Sequence, residues 1–286
     1  MNERFRRVLD EALTRGAELE LATPTVSAGI DGRRLGRRTG NALEFAEYRE
    51  YQAGDDLRRL DWGVFARSEQ LMVKLYSEEV DPRCDIVLDH SASMGTGEGH
   101  KAAAGFGIAA LLSCAAVNAG FSLALWHAGE KLVREQNPAR PGEWLETGFD
   151  SPSNPDGVLA ASPGLFQNRG LRIAVTDLLW PSDPEGFLRR LSDGAMRVVL
   201  VELLDRSELE PEGNGNYSFC DPETGEEREL MLDETMIRRY RERLARHREM
   251  WARAADEFGA GLIRLNAGDF LADWNLQDFF RCGVLK

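Results

Sequence analysis

Asp89, Ser91 and Ser93 stand at alternate positions in the stretch Asp85-Ile-Val-Leu-Asp-His-Ser-Ala-Ser-Met94. One carboxylate and two hydroxyls are hard oxygen donors, a set that suits a magnesium or manganese ion keeping several of its waters. Ile86, Val87 and Leu88 form the apolar run of a buried parallel strand, so the three polar residues fall in the loop where that strand ends. Open parallel α/β sheets bind their ligands just beyond the carboxyl ends of their strands, which is where this loop is expected.

The spacing resembles the Asp-x-Ser-x-Ser of the metal-ion-dependent adhesion site in von Willebrand factor A-type domains. In that family a threonine from a second loop and an aspartate from a third complete the metal shell, and an open coordination position takes an acidic residue of a partner protein. The resemblance makes Asp177 the third-loop aspartate: Arg172-Ile-Ala-Val-Thr-Asp177 is another apolar run ending in a carboxylate, with Leu178 where the family has glycine. The second loop corresponds to residues 148–157, which offer Ser151 or Ser153 but no threonine. Other readings of the same residues stay open. A haloacid-dehalogenase-type phosphatase needs a second carboxylate two residues after its first, where Ser91 stands, and a serine hydrolase needs Gly-x-Ser-x-Gly, which neither serine has. The plainest alternative has the serines capping the next helix while Asp89 accepts backbone hydrogen bonds.

The elements that must hold this loop alternate in type. Strands are expected at 84–88, 121–127, 131–135, 171–176, 196–203 and 262–265, and helices at 99–118, 184–193, 234–258 and 269–281. Repeated βα units imply an α/β fold with a mostly parallel sheet and helices on both faces, a von Willebrand factor A-like (Rossmann-like) arrangement under the resemblance. Residues 83–286 form this domain, with a polar surface insertion at about 204–234 that includes a short strand at 216–220. Residues 1–82 are an N-terminal helix and β extension: an amphipathic helix over 3–20, then a strand, a turn at Asp31-Gly32 and an arginine-rich return over 25–39.

Within that extension, residues 44–67 interleave carboxylates and arginines with aromatics. Asp55, Arg58, Asp61, Trp62 and Arg67 suit a hydrogen-bonded ion network beneath a tryptophan, pinning the extension to the sheet rather than catalysing anything. Gly54-Asp55, Arg58, Asp61-Trp62, Ala66-Arg67, the strand from Leu71 with Glu78, the Asp-x-Ser-x-Ser loop, Asp205 to Glu208 and Asp221-Pro-Glu-Thr-Gly225 together resemble the bacterial family called domain of unknown function fifty-eight (DUF58). The resemblance covers roughly residues 25 to 270. It implies a von Willebrand A-like protein working with a MoxR-type AAA ATPase and with membrane-bound von Willebrand A proteins.

Whole-chain properties narrow the classes. The 286 residues carry a formal charge of -13, which disfavours nonspecific contact with nucleic acid or an anionic membrane. Arg33-Arg34 and Arg37-Arg38 are the only dense basic run, expected to serve a solvated loop or an acidic partner. Four widely spaced cysteines form neither a zinc pattern nor a disulfide framework, and the charged start is no secretory h-region. A cytoplasmic protein is expected. The uncharged stretch from Ala102 to Trp126 is long enough to span a bilayer, but Asn118-Ala-Gly120 divides it into a core helix and a strand, so no membrane insertion is expected. The function expected is a noncatalytic, magnesium- or manganese-dependent interaction module, an adaptor or co-chaperone. The alternatives are a metal-assisted hydrolase on the same loop and a structural fold with a decayed site.

Overall fold

The computed structural model describes residues 3–22, 43–52, 55, 58, 60–78, 82–144, 148–166 and 169–286. The strand and arginine-rich return expected over 25–39 lie outside the described residues. The chain divides into two units, residues 27–81 and the remainder. Helix α1 (Glu3–Gly16) belongs to the larger unit, with Leu9 and Ala12 buried on its apolar stripe.

The smaller unit is an antiparallel pair, β1 (Leu43–Glu50) and β2 (Met72–Glu78), joined through α2 (Trp62–Ser68). Asp61 caps α2, accepting from the Gly63 and Val64 amides at 2.8 and 3.2 Å, and also takes the Tyr48 hydroxyl at 2.8 Å. Asp55 pairs with Arg49 at 2.8 Å, and Arg67 donates to the Gly63 carbonyl at 3.0 Å. The tryptophan expected to cover these charges does not do so from a buried position. Trp62 is 62 % exposed, in edge contact with Phe65 at the start of α2. Arg58 is also exposed.

The larger unit continues with β3 (Arg83–Asp89), α3 (His100–Asn118), β4 (Ser122–Ala128), β5 (Leu132–Arg134), α4 (Pro155–Ala160), β6 (Gly170–Thr176), α5 (Pro184–Ser192) and β7 (Arg197–Leu204). After these come α6 (Arg206–Leu209), the hairpin β8 (Gly215–Cys220) and β9 (Glu227–Leu232), α7 (Glu234–Glu257), β10 (Gly261–Asn266), α8 (Ala267–Asp273) and α9 (Gln277–Arg281). The six-stranded sheet runs β10-β7-β6-β3-β4-β5, parallel except for β5. The protein is thus mixed α/β with a mostly parallel central sheet. The helix expected over 269–281 is two helices, broken where Trp274 adopts the left-handed conformation (φ 52°) that ends α8.

Strand periodicity feeds two cores. Cys84, Ile86 and Leu88 of β3 and Leu171, Ile173 and Val175 of β6 face a layer holding α1, α3 and the C-terminal helices. Val87 and Ala174 face the other layer, where Trp180, Phe187 and Trp251 pack edge to face. Helix α3 is buried nearly all round, and its alanines and glycines let neighbours come close: a Cβ on Gly107 would sit 2.7 Å from Val8 and 2.9 Å from Trp274. It is the only helix among the described residues long and apolar enough to cross a membrane, and here it is the core helix beneath the sheet.

Candidate functional site at the carboxyl edge of the sheet

The chain leaves β3 for β4 on one side and later fills β6 on the other, so the gap between the carboxyl ends of β3 and β6 is a topological switch point. Register pairs Leu88 with Val175, which brings the next residues, Asp89 and Thr176, side by side on the same face. Thr176 donates its hydroxyl to Asp89 Oδ2 at 2.6 Å, and the Ser91 amide donates to Asp89 Oδ1 at 2.8 Å. Ser91 and Ser93 hydroxyls are 3.0 Å apart. Asp177 follows Thr176 directly, and its charge is near enough to Asp89 to act with burial in pushing the Asp89 carboxyl above the usual carboxylate range, against the hydrogen bonds from Thr176 and Ser91. Asp89 and Asp177 are both buried.

Each of these residues is placed by its neighbours. Leu178, where the family resemblance expects glycine, adopts φ 55°, a left-handed conformation held by burial of its side chain and by its carbonyl accepting from His247 Nε2. Gly97, after the serine loop, has φ 64°, and a Cβ there would sit 2.9 Å from Asp205 Cγ. Only glycine permits both that backbone and that approach. Ser151 pairs in a parallel bridge with Ser91, with the Ala92 amide donating to the Ser151 carbonyl at 2.7 Å. The second loop therefore lies beside the first, while the Ser151 hydroxyl is engaged with Ser153: it accepts from the Ser153 amide at 3.1 Å. His90, between the candidate ligands, turns away to the Gly148 carbonyl (2.9 Å) and to His127 Nδ1 (2.8 Å), and His127 Nε2 lies 3.2 Å from Glu135.

Three contributors escaped the sequence reading. Lys101, in the first turn of α3, is fully buried and donates to Asp177 Oδ2 at 3.1 Å and Glu208 Oε1 at 2.5 Å. Burial pulls its ammonium down, but the Asp177 and Glu208 carboxylates outweigh that and hold it above the ordinary lysine value. Glu208 belongs to the capping box of α6, in which Asp205 accepts from the Ser207 amide and also binds His100 Nδ1 at 2.9 Å. Glu223, in the turn between β8 and β9, has its carboxyl raised by burial and by the charges of Asp177 and Asp221. The available signals were Lys101 as the lone charge heading an uncharged helix, and the glutamates inside the two acidic motifs, 205–208 and 221–225.

Carboxylate and hydroxyl oxygens are the donor types that a hard divalent cation takes. Adjacent ligands of an octahedral ion with bonds of about 2.1 Å are about 3.0 Å apart, the separation of the two serine hydroxyls. A carboxylate offers about four lone-pair sites, and the contacts above use two on Asp89 and two on Asp177, the latter from Lys101 and from the Leu179 amide at 3.1 Å. Among the described residues no group of three or more His, Cys, Asp or Glu is placed to hold a metal ion.

Fold and site together define an open α/β protein with an oxygen-rich cluster at its switch point. The model of the family described as "Protein of unknown function DUF58" matches residues 47–147 and 152–250, and the chain belongs to that family. It is 31 % identical over 274 residues, 89 % of this chain and 85 % of the relative, to the uncharacterized protein Rv1480 of Mycobacterium tuberculosis strain H37Rv and equally to Mb1516 of Mycobacterium bovis. Among solved structures it is similar to the conserved hypothetical protein BatB from Bacteroides thetaiotaomicron, at 10 % identity and a TM-score of 0.33 over 71 % of this chain and 98 % of that one. That likeness is too loose to carry an argument.

Proposed function

We propose that this protein is a noncatalytic interaction module with a von Willebrand A-like main unit. Asp89, Ser91, Ser93 and Asp177 hold magnesium or manganese, and through the ion the module engages an acidic side chain of a partner. The observation that carries this reading is the meeting of two strand-end carboxylates and two hydroxyls spaced like the edge of an octahedron. The ion supplies positive charge that offsets the desolvation of both resident carboxylates and of the incoming one. Thr176 and the Ser91 amide orient Asp89, and Lys101 orients Asp177. Binding is favoured over hydrolysis by His90, which faces His127 and Gly148 rather than the cluster and so is poorly placed as a base.

The family resemblance points to a MoxR-type AAA ATPase as the partner, with this protein acting in the cytoplasm as adaptor or co-chaperone in assembling a complex that includes membrane-bound von Willebrand A proteins. Affinity purification from native cells, with magnesium and with excess EDTA, tests ion and partner together. Recovery of an AAA ATPase only with magnesium, and its loss in Asp89→Ala, is the expected outcome. Recovery that survives both EDTA and Asp89→Ala removes the ion from the mechanism.

A further inference from the structure

The hairpin of β8 and β9 has no part in the function proposed above, and among the described residues it is a sheet of its own with no third strand. Two strands alone bury little, and Tyr217, Phe219, Leu230 and Met231 all stay exposed on it. Register gives its two faces opposite chemistry. Tyr217 lies across from Leu230 and Phe219 from Arg228, with the two aromatic rings 6.2 Å apart, so one face is mainly apolar. The other face carries Glu227 and Glu229, across from Cys220 and Ser218. At the turn the Asp221 amide donates to the Glu226 carbonyl at 2.9 Å. Every second pair of an antiparallel ladder exchanges such bonds, which directs the amides of Arg228 and Leu230 toward β8 and those of Glu227, Glu229 and Met231 outward from β9.

We propose that the outer edge of β9 is a second docking surface, which takes an extended basic segment of a partner protein as the third strand of the hairpin, independently of any metal ion. Side chains of an added strand alternate between the two faces. The segment that fits therefore alternates arginine or lysine, beside Glu227 and Glu229, with apolar residues that widen the row of Leu230, Tyr217 and Phe219. Residues 205–234 hold eleven carboxylates against two arginines, a net charge of -9 out of the chain's -13, so the field around this edge attracts a cationic segment. The same charges argue against a second copy of this chain as the occupant. Antiparallel pairing of two β9 edges would bring Glu227 and Glu229 of both copies together, and like charges set opposite each other destabilise a ladder.

Titration of the full chain with a synthetic peptide that alternates arginine and leucine, in excess EDTA, tests this with amide hydrogen exchange as the readout. At saturation the outward amides of Glu227, Glu229 and Met231 should slow by about tenfold, those of Arg228 and Leu230 should change less, and unchanged α3 amides report an intact fold. A peptide of the same composition with its arginines and leucines in separate blocks should bind about fivefold more weakly. The double variant Glu227→Gln with Glu229→Gln should weaken the alternating peptide by about the same factor, the loss of two cross-strand pairs. Glu249→Gln with Glu257→Gln removes as much charge from α7 and should leave the affinity unchanged. Glu229→Pro deletes an outward amide that β8 does not use, and should abolish binding that Glu229→Gln only weakens. Equal affinity for the two peptides, an equal effect of the α7 changes, or binding that leaves the β9 amides unslowed reduces the contact to charge attraction and overturns the proposal, as does no binding at all. Slowing of the same amides with protein concentration alone would make the occupant a second copy and overturn it too.

Discussion

Replacing Lys101 by methionine keeps a flexible stem of similar volume and removes the one buried cation of the site. In the native protein that ammonium lies 3.1 Å from Asp177 Oδ2 and 2.5 Å from Glu208 Oε1, with no exposure of its own. Its loss leaves two largely buried carboxylates that already repel each other, since burial first and then the Asp177 charge raise the Glu208 carboxyl. Removing one partner of a buried ion pair costs about 3–5 kcal/mol. A lysine in the first turn of a helix opposes the helix dipole, so its removal returns about 0.3–1 kcal/mol, for a net loss of about 2–5 kcal/mol. With a urea dependence of about 2–3 kcal/mol per molar, the midpoint should fall by about 1–2 M. Urea unfolding followed by tryptophan fluorescence measures this, since Trp180 and Trp251 lie packed in one core. The double variant Lys101→Met with Asp177→Asn should recover a substantial part of the loss, because it removes one of the two stranded charges. A shift under about 0.3 M, or no recovery in the double variant, would refute the assignment of Lys101 as the counter-charge of this cluster.

Two further outcomes follow from other parts of the structure. Burial, with His127 adding to it, lowers His90 to about 4 against the Gly148 carbonyl, and burial also lowers His127. Both bases are depressed, so the unfolded chain binds more protons: their contribution is intact above pH about 6.5 and is lost as pH falls toward 4, by up to about 3 kcal/mol from His90. Urea midpoints at pH 7.5 and 5 should show the fall, and His90→Phe should flatten it; an unchanged slope in that variant assigns the pH dependence elsewhere. Gly107→Val should cost about 1–3 kcal/mol by driving its side chain into Val8 and Trp274, with partial recovery on adding Val8→Ala. Thermal melting of the single and double variants decides it, and full independence of the two changes would mean α1 is not held on α3 as described.

The pattern of residues determined the succession of strands and helices, because apolar runs such as Ile86 to Leu88 and Ile173 to Val175 are long enough to name their own secondary structure. It also determined that two of those strands end in carboxylates, Asp89 directly and Asp177 one residue beyond. Local pattern was misleading in the smaller unit, where the spacing of charges around Trp62 gave no indication that the ring would stand in solvent at the start of α2. Only the tertiary structure decided that β6 lies next to β3, since strand order is settled by which crossovers bury the most apolar surface and not by any single segment. That order turned Thr176 into the hydroxyl beside Asp89, where the sequence had offered only Ser151 and Ser153 from another loop. It likewise drew Lys101, Glu208 and Glu223 to the same edge from positions up to 122 residues apart. Electrostatic neighbours of this kind are invisible in one dimension, because a charge is recognised as buried or paired only once the chain around it has closed.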